Sequence, residues 1–314
     1  MAAPQQGPES QPGGTPVTSG NEGRAEPNEG RPGAPTMRPG ESRDTPRTPS
    51  TPRSSRPLLP DPLWIVTGLI TAAYLLFLLS LLGATALHSS PSDLLHALGS
   101  RQIRYAFGLS LLSCTLSALL SLLVAVPVGY LLSRGRFPGK AWLDAALDIP
   151  IVLPPMVVGL CLLIFFQTPA GKLIEKAIPF TYTIAGVVLA QCVIGTAFAV
   201  RTMRGTFDHL SARPEEVAMT LGCSRATAVC RVTLPAASRG MFAAASIAWA
   251  RSLGEFGPIL VFAGATRMKT EVLPTSVWLE LSVGNLEAAI AVSLLMVALA
   301  VLVLTAVRMA GERL

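Results

Sequence analysis

Apolar and polar positions divide the chain into a polar opening segment and a remainder dominated by long apolar runs. A helix crossing the hydrocarbon core of a bilayer needs about 20 predominantly apolar residues. Runs of that kind fall at roughly 64–87, 105–132, 143–166, 182–200, 240–264 and 286–307, and they predict six membrane-spanning helices. Trp64, Tyr105, Tyr130, Trp142 and Tyr182 lie near span ends, where rings with one polar edge settle at the lipid–water boundary. The third run is interrupted by Asp148, Pro150, Pro154 and Pro155. Each proline removes a backbone donor, and the carbonyls left over cannot be satisfied by hydrocarbon. The residues alone allow two readings: a proline-kinked core helix, or a broken stretch that faces protein or water.

Between the fourth and fifth runs the pattern changes to a polar segment, 201–239. Glu215, Glu216, Ala218, Met219 and Leu221 read as one short helix. Gly222 permits a turn with φ > 0, and Ser224 can cap a second helix running toward Val232. Leu234-Pro235 is expected to end the unit before the next span. By periodicity alone this is an amphipathic hairpin at a membrane surface. The fifth run carries two charges, Arg251 and, one turn later, Glu255. Arg251 falls about 12 residues past the start of its run, roughly 18 Å along a helix. A charge at mid-bilayer costs about 2.5–3.5 kcal/mol on insertion scales, so neither side chain should face lipid. At i and i+4 the two can pair, either as a salt bridge fixing two spans together or as a polar gate on a pathway.

Composition agrees with this pattern. The chain is 50% hydrophobic and 14% charged, with mean hydropathy +0.50, which places it in the membrane class. Residues 1–60 are rich in Pro, Gly, Ser, Thr and Arg and have too little apolar surface to offset their ordering entropy. They are expected to form a disordered tail ahead of a transmembrane domain over 61–314. No short apolar stretch with a small-residue cleavage site marks a signal peptide. Glu9, Glu22, Glu26, Glu29, Glu41 and Asp44 argue against a transit peptide, leaving a cytoplasmic tail as the expectation.

Basic residues set the orientation. Arg134, Arg136 and Lys140 follow the second run, Arg201, Arg204, Arg213, Arg225, Arg231 and Arg239 follow the fourth, and Arg308 and Arg313 close the chain. Inner segments are the richer in positive charge, so both termini and 201–239 are expected in the cytoplasm. The net charge of +6 then reflects topology, and no aromatic-interleaved basic patch points to nucleic acid. Cys114, Cys161, Cys192, Cys223 and Cys230 have neither metal-ligand nor disulfide spacing and read as packing residues. The turn Gly135-Arg136-Phe137-Pro138-Gly139-Lys140 is one residue too short for a phosphate loop and is followed by Ala141 instead of Ser or Thr. With His88, His96 and His209 scattered and no His-Glu-x-x-His pattern, neither catalysis nor a metal site is expected in this chain.

The order Glu216-x-Ala218-x3-Gly222-x9-Val232-x-Leu234-Pro235 resembles the EAA loop of ABC importer permeases, with Val217 in place of the first Ala and Val232 in place of Ile. The resemblance implies that 201–239 docks on an ATPase, with Glu215, Glu216, Ala218, Gly222, Leu234 and Pro235 forming the coupling element. "FPGKAWLDAALDIPIVLPPMVVG", residues 137–159, is similar to the corresponding stretch of molybdate-type permeases. So is "GEFGPILVFAG", residues 254–264, and the segment 266–296 with its Gly284-x-Leu286-Glu287-Ala288-Ala289.

From that resemblance follow an all-α, six-span fold of the type I importer kind, preceded by the disordered tail, and a tetrahedral oxyanion as cargo, molybdate or tungstate. It implies Pro154, Pro155, Arg251, Glu255 and Phe256 on the translocation pathway. It also implies a homodimer in the inner membrane, two ATP-binding subunits holding ATP and magnesium, and an extracytoplasmic oxyanion-binding protein. A sulfate or thiosulfate permease shares these features but pairs two different chains. A secondary transporter driven by an ion gradient would show an inverted repeat, of which the sequence has no convincing sign.

Overall fold

The computed structural model describes residues 62–87 and 99–313; the expected tail over 1–60, together with His88 and His96, lies outside them. The elements are α1 (Pro62–Leu87), α2 (Arg101–Arg134), α3 (Lys140–Val152), α4 (Pro155–Gln167), α5 (Pro169–Ala177), α6 (Ile184–His209), α7 (Arg213–Thr220) and α8 (Arg225–Ala228). A π-helical turn, Val229–Thr233, leads into α9 (Leu234–Ala236) and α10 (Ser238–Leu253); a second π turn, Ile259–Ala263, precedes α11 (Leu273–Ser282) and α12 (Leu286–Arg313). No strand occurs among the described residues. In lipid a helix satisfies its own backbone, which is why apolar runs of this length fold this way.

Caps mark several starts. Ser100 Oγ accepts from Ile103 N at 3.2 Å, opening α2, and Thr183 Oγ1 accepts from Gly186 N at 3.3 Å, opening α6. The centre of the molecule is α2, α6 and α10, joined through small residues that let backbones approach. A Cβ on Gly129 of α2 would lie 2.8 Å from Met203 Cβ of α6. Leu132, Val200, Met203, Phe207 and Ala244 are buried around that contact. By contrast, α1 exposes its large apolar side chains along most of its length.

Four of the expected crossings are single long apolar helices, within α1, α2, α6 and α12. The third is a bent pair: α3 and α4 meet at 112°. Pro150 lies inside α3, Pro154 stands at the N-cap of α4 and Pro155 in its first turn, so the break falls where the ring removes donors. The fifth is not the continuous helix expected over 240–264. The α10 helix stops at Leu253, Glu255 and Phe256 are non-helical, and the chain resumes as the π turn that ends at Gly264 with φ +72°. Gly254 and Gly257 disfavour the helix, and the Pro258 ring would strike the carbonyl four residues earlier.

These two breaks meet. A Cβ on Gly159 would lie 2.8 Å from Pro258 Cα, and one on Gly257 would lie 3.0 Å from Met156 N. Non-helical backbone at membrane depth is tolerated only where protein or a cavity covers it, and here each break covers the other. Gly159→Ala should therefore wedge α4 away from Pro258 and destabilise the chain by about 1–3 kcal/mol. The thermal unfolding midpoint in detergent checks this; an unchanged midpoint would mean that the two backbones have room to part.

The cysteines are not uniformly packing residues: Cys114 is buried, but Cys161, Cys223 and Cys230 are exposed on the chain. An apolar run fixes an environment, not the face a residue occupies. Tyr130 likewise does more than sit at an interface, as the polar end of the bundle shows.

Candidate functional site

The polar unit between α6 and α10 is built as two short helices around one glycine. The α7 helix has Pro214 in its first turn, and Glu215 and Glu216 complement its positive end. It closes in a Schellman arrangement: Gly222 N donates to Met219 O at 3.0 Å and Cys223 N to Ala218 O at 3.1 Å. Gly222 takes φ +90°, and a Cβ there would meet nothing within 4 Å. The demand for glycine is thus conformational, not steric. Ser224 Oγ then accepts from Thr227 N at 3.3 Å and starts α8.

The two adjacent glutamates part company. Glu215 is buried at 5% exposure; Tyr130 Oη donates to its Oε1 at 2.6 Å and Thr233 Oγ1 to its Oε2 at 3.0 Å. Arg225 Nε stands 3.8 Å from the same carboxylate. Glu215 therefore ties α7 to α2 and to the π turn. Glu216, Val217, Leu221, Gly222 and Pro235 are exposed, while Ala218 and Leu234 are half-buried. Glu215→Ala would leave Tyr130 and Thr233 without their acceptor, a loss of about 1.5–3 kcal/mol for bonds to a charged group. Thermal unfolding of the full chain should show it, and Glu215→Gln should recover part of the loss.

Leu234-Pro235 does not end the unit as expected. Leu234 N donates to Val229 O, a π-type bond that carries the helix past Pro235, which sits in the first turn of α9 where no donor is needed. From Arg225 to Leu253 the chain is helical save for a turn at Ala237.

A second clasp was not legible in the sequence. Asp144 accepts from Arg204 and lies 3.5 Å from Arg201, while Asp148 pairs with Arg201. Asp208 lies 3.7 Å from Arg204 and accepts from Ser133 Oγ at 2.6 Å. Arg134 Nη2 donates to Leu210 O at 2.6 Å. The carboxylates sit one turn apart on α3 and the guanidiniums nearly so on α6, the only sequence sign that each pair shares a face. Together they lock α3, and hence the proline elbow, to α6.

At the end of α10, Arg251 Nη2 stands 2.9 Å from Glu255 Oε1, and its guanidinium carbon is 5.4 Å from the centre of the Phe198 ring. Glu255 is 1% exposed. Gln191 Nε2 donates to Ser252 O at 3.2 Å, and Ser117 Oγ is 3.1 Å from Ser252 Oγ. Phe256 stands 6.3 Å from Trp278, centre to centre. Of the expected pathway residues, Arg251, Glu255 and Phe256 thus gather at the fifth-span break. Pro155 reaches it through Gly257, and Pro154 stays exposed at the elbow. The pair spans the break instead of one continuous helical turn.

Residues 125–314, which hold both clasps and both breaks, match the model of the binding-protein-dependent transport system inner membrane component family. The chain belongs to that family. It is 36% identical over 244 residues to a probable molybdenum ABC transporter permease of Haloferax volcanii, across 78% of this chain and 89% of that one. It is 32% identical over 265 residues to the sulfate transport system permease protein CysT of Escherichia coli, across 83% and 96%. The molybdenum transport system permease protein ModB of Mycobacterium bovis is 38% identical over 202 residues, across 63% and 76%. The structure of a bacterial ABC transporter that imports alginate shares the fold, with a TM-score of 0.65 at 14% identity over 80% of this chain and 96% of that one. The chain is accordingly a multi-pass ABC transporter permease, a transport subunit of the inner membrane.

Proposed function

We propose that the chain is the permease of an ATP-driven importer of a tetrahedral oxyanion, molybdate or tungstate. The α7–Gly222–α8 unit carries this reading: it presents an exposed surface on a chain of this family, braced from inside by Glu215. Relatives named as molybdenum permeases support the cargo. CysT is similar over more of the chain at lower identity, so sulfate stands as the second reading.

In this account 201–239 and both termini lie in the cytoplasm, as the basic residues favour. Two ATPase subunits hold ATP and magnesium, dock on α7 and α8, and push on them. The push travels by two routes. The helical run from Arg225 carries it over roughly 40 Å, at about 1.5 Å per residue, to Arg251. Glu215 carries it sideways to Tyr130 on α2. At the far end lies the fifth-span break, where the helix is interrupted at Glu255 and Phe256, and Arg251 and Glu255 sit on it. There Arg251 attracts the anion and Glu255 limits how tightly it is held, while Phe256 and the elbow at Pro154 and Pro155 shape the passage. Two copies of the chain complete the channel, and an extracytoplasmic binding protein delivers the anion. Uptake of labelled molybdate by the reconstituted complex, with unlabelled tungstate, sulfate or phosphate as competitor, tests the cargo. Competition by tungstate alone is expected; equal competition by sulfate would favour the sulfate reading.

A further inference from the structure

Beside α7, at the end of the bundle that carries the two clasps, lies a polar cavity of about 460 Å³. Among its lining residues are Arg134, Arg136, Lys140 and Arg225, facing Glu215 and Glu216. The cations outnumber the carboxylates, and one carboxylate is already spent. Glu215 accepts from Tyr130 and Thr233 and has Arg225 at 3.8 Å. Glu216 is exposed, where water and salt screen it.

The donors are not spent. Arg134 gives Nη2 to Leu210 O, but its Nε is buried with no acceptor. Lys140 gives one of its three protons to Gly135 O at 3.3 Å. Arg136 is exposed and forms no ion pair among the described residues. Lys140 is also the first residue of α3, a 13-residue helix whose N-cap is Gly139 and which has no side-chain cap. Of that helix, Lys140 is the residue that lines the cavity. A buried orphan donor costs stability unless something accepts from it. Guanidinium forks and an ammonium together match a group with several oxygens and a negative charge.

We propose that this cavity is an anion site for a tetrahedral, phosphate-type group, whether a free inorganic anion or the headgroup of an acidic phospholipid. A group seated there joins Arg136 and Lys140, on the α2–α3 turn, to Arg225 on α8. It thereby ties the proline elbow to the unit proposed to receive the ATPase. The site is separate from the pathway at Arg251 and does not depend on which oxyanion is transported.

The test uses the full chain in two kinds of nanodisc. In phosphatidylcholine discs, inorganic phosphate is titrated calorimetrically; in discs containing phosphatidylglycerol, retained acidic lipid is counted by native mass spectrometry. Arg136→Gln with Lys140→Gln should weaken binding about tenfold in one of the arms, about what two charge-assisted contacts in a wet site can give, and that arm names the source. Arg239→Gln removes the same kind of charge at an exposed residue outside the cavity and should change neither arm. If the double variant fails to fold, Arg136→Gln alone should show the same ordering. Binding that the cavity variants leave untouched in both arms, or that Arg239→Gln weakens equally, would overturn the proposal.

Discussion

Arg251→Ala is expected to abolish transport in a chain that still inserts and still binds its ATPase. The guanidinium is the ion-pair partner of Glu255, at 2.9 Å, and Glu255 is almost wholly buried. Removing the guanidinium leaves the buried carboxylate without its partner; because Arg251 is 35% exposed, the cost stays below the roughly 3–5 kcal/mol of a fully buried pair. It also turns the local field against an entering anion. Glu255→Gln should behave differently: the amide keeps hydrogen-bonding capacity while Arg251 is freed to hold the anion, so release slows and turnover falls. The double variant should be less damaged in stability than Arg251→Ala alone, because no lone charge remains. A double-mutant cycle on unfolding midpoint and transport rate measures this. If the two effects add, the residues do not act on each other and are merely two core positions.

The second large effect is expected at Gly222. Gly222→Val should uncouple the complex, leaving ATP hydrolysis without matching uptake. A φ of +90° is open to glycine and a genuine outlier for a β-branched residue. Since a Cβ there meets nothing within 4 Å, the variant should not disturb packing. What it changes is the angle between α7 and α8. Insertion, and the unfolding midpoint to within about 1–2 kcal/mol of strain, should survive. Gly222→Asn, which tolerates the left-handed region, should keep most of the coupling. Normal transport by the valine variant would show that α7 and α8 need not hold their angle.

Much of this arrangement was legible in the sequence because it rests on local chemistry. The apolar runs now in α1, α2, α6 and α12 needed only length, and the prolines at 150, 154 and 155 announced the 112° elbow. Gly222 and Ser224 announced the turn and the cap. The break in the fifth span was equally written, in Gly254, Gly257 and Pro258, yet the apolar residues around it read as one crossing. Contacts between distant residues were beyond reach. Asp144 and Arg204 are 60 positions apart, and nothing local marks them as partners. Glu215 and Glu216 are the sharper case. Neighbours on a helix point about 100° apart, so one is buried and its twin exposed, and distant partners, Tyr130 and Thr233, decide which. The buried glutamate braces the α7–α8 unit from inside, and the exposed one stays at its surface.

In the proposed mechanism, ATP hydrolysis on a partner drives this chain to move an oxyanion inward. It is tested most directly in proteoliposomes that hold the chain, its ATPase and its binding protein, loaded with labelled molybdate outside and ATP inside. Uptake is expected to require both ATP and the binding protein, to persist when proton and sodium gradients are collapsed, and to stop with a non-hydrolysable ATP analogue. Uptake driven by an imposed ion gradient without ATP would contradict it.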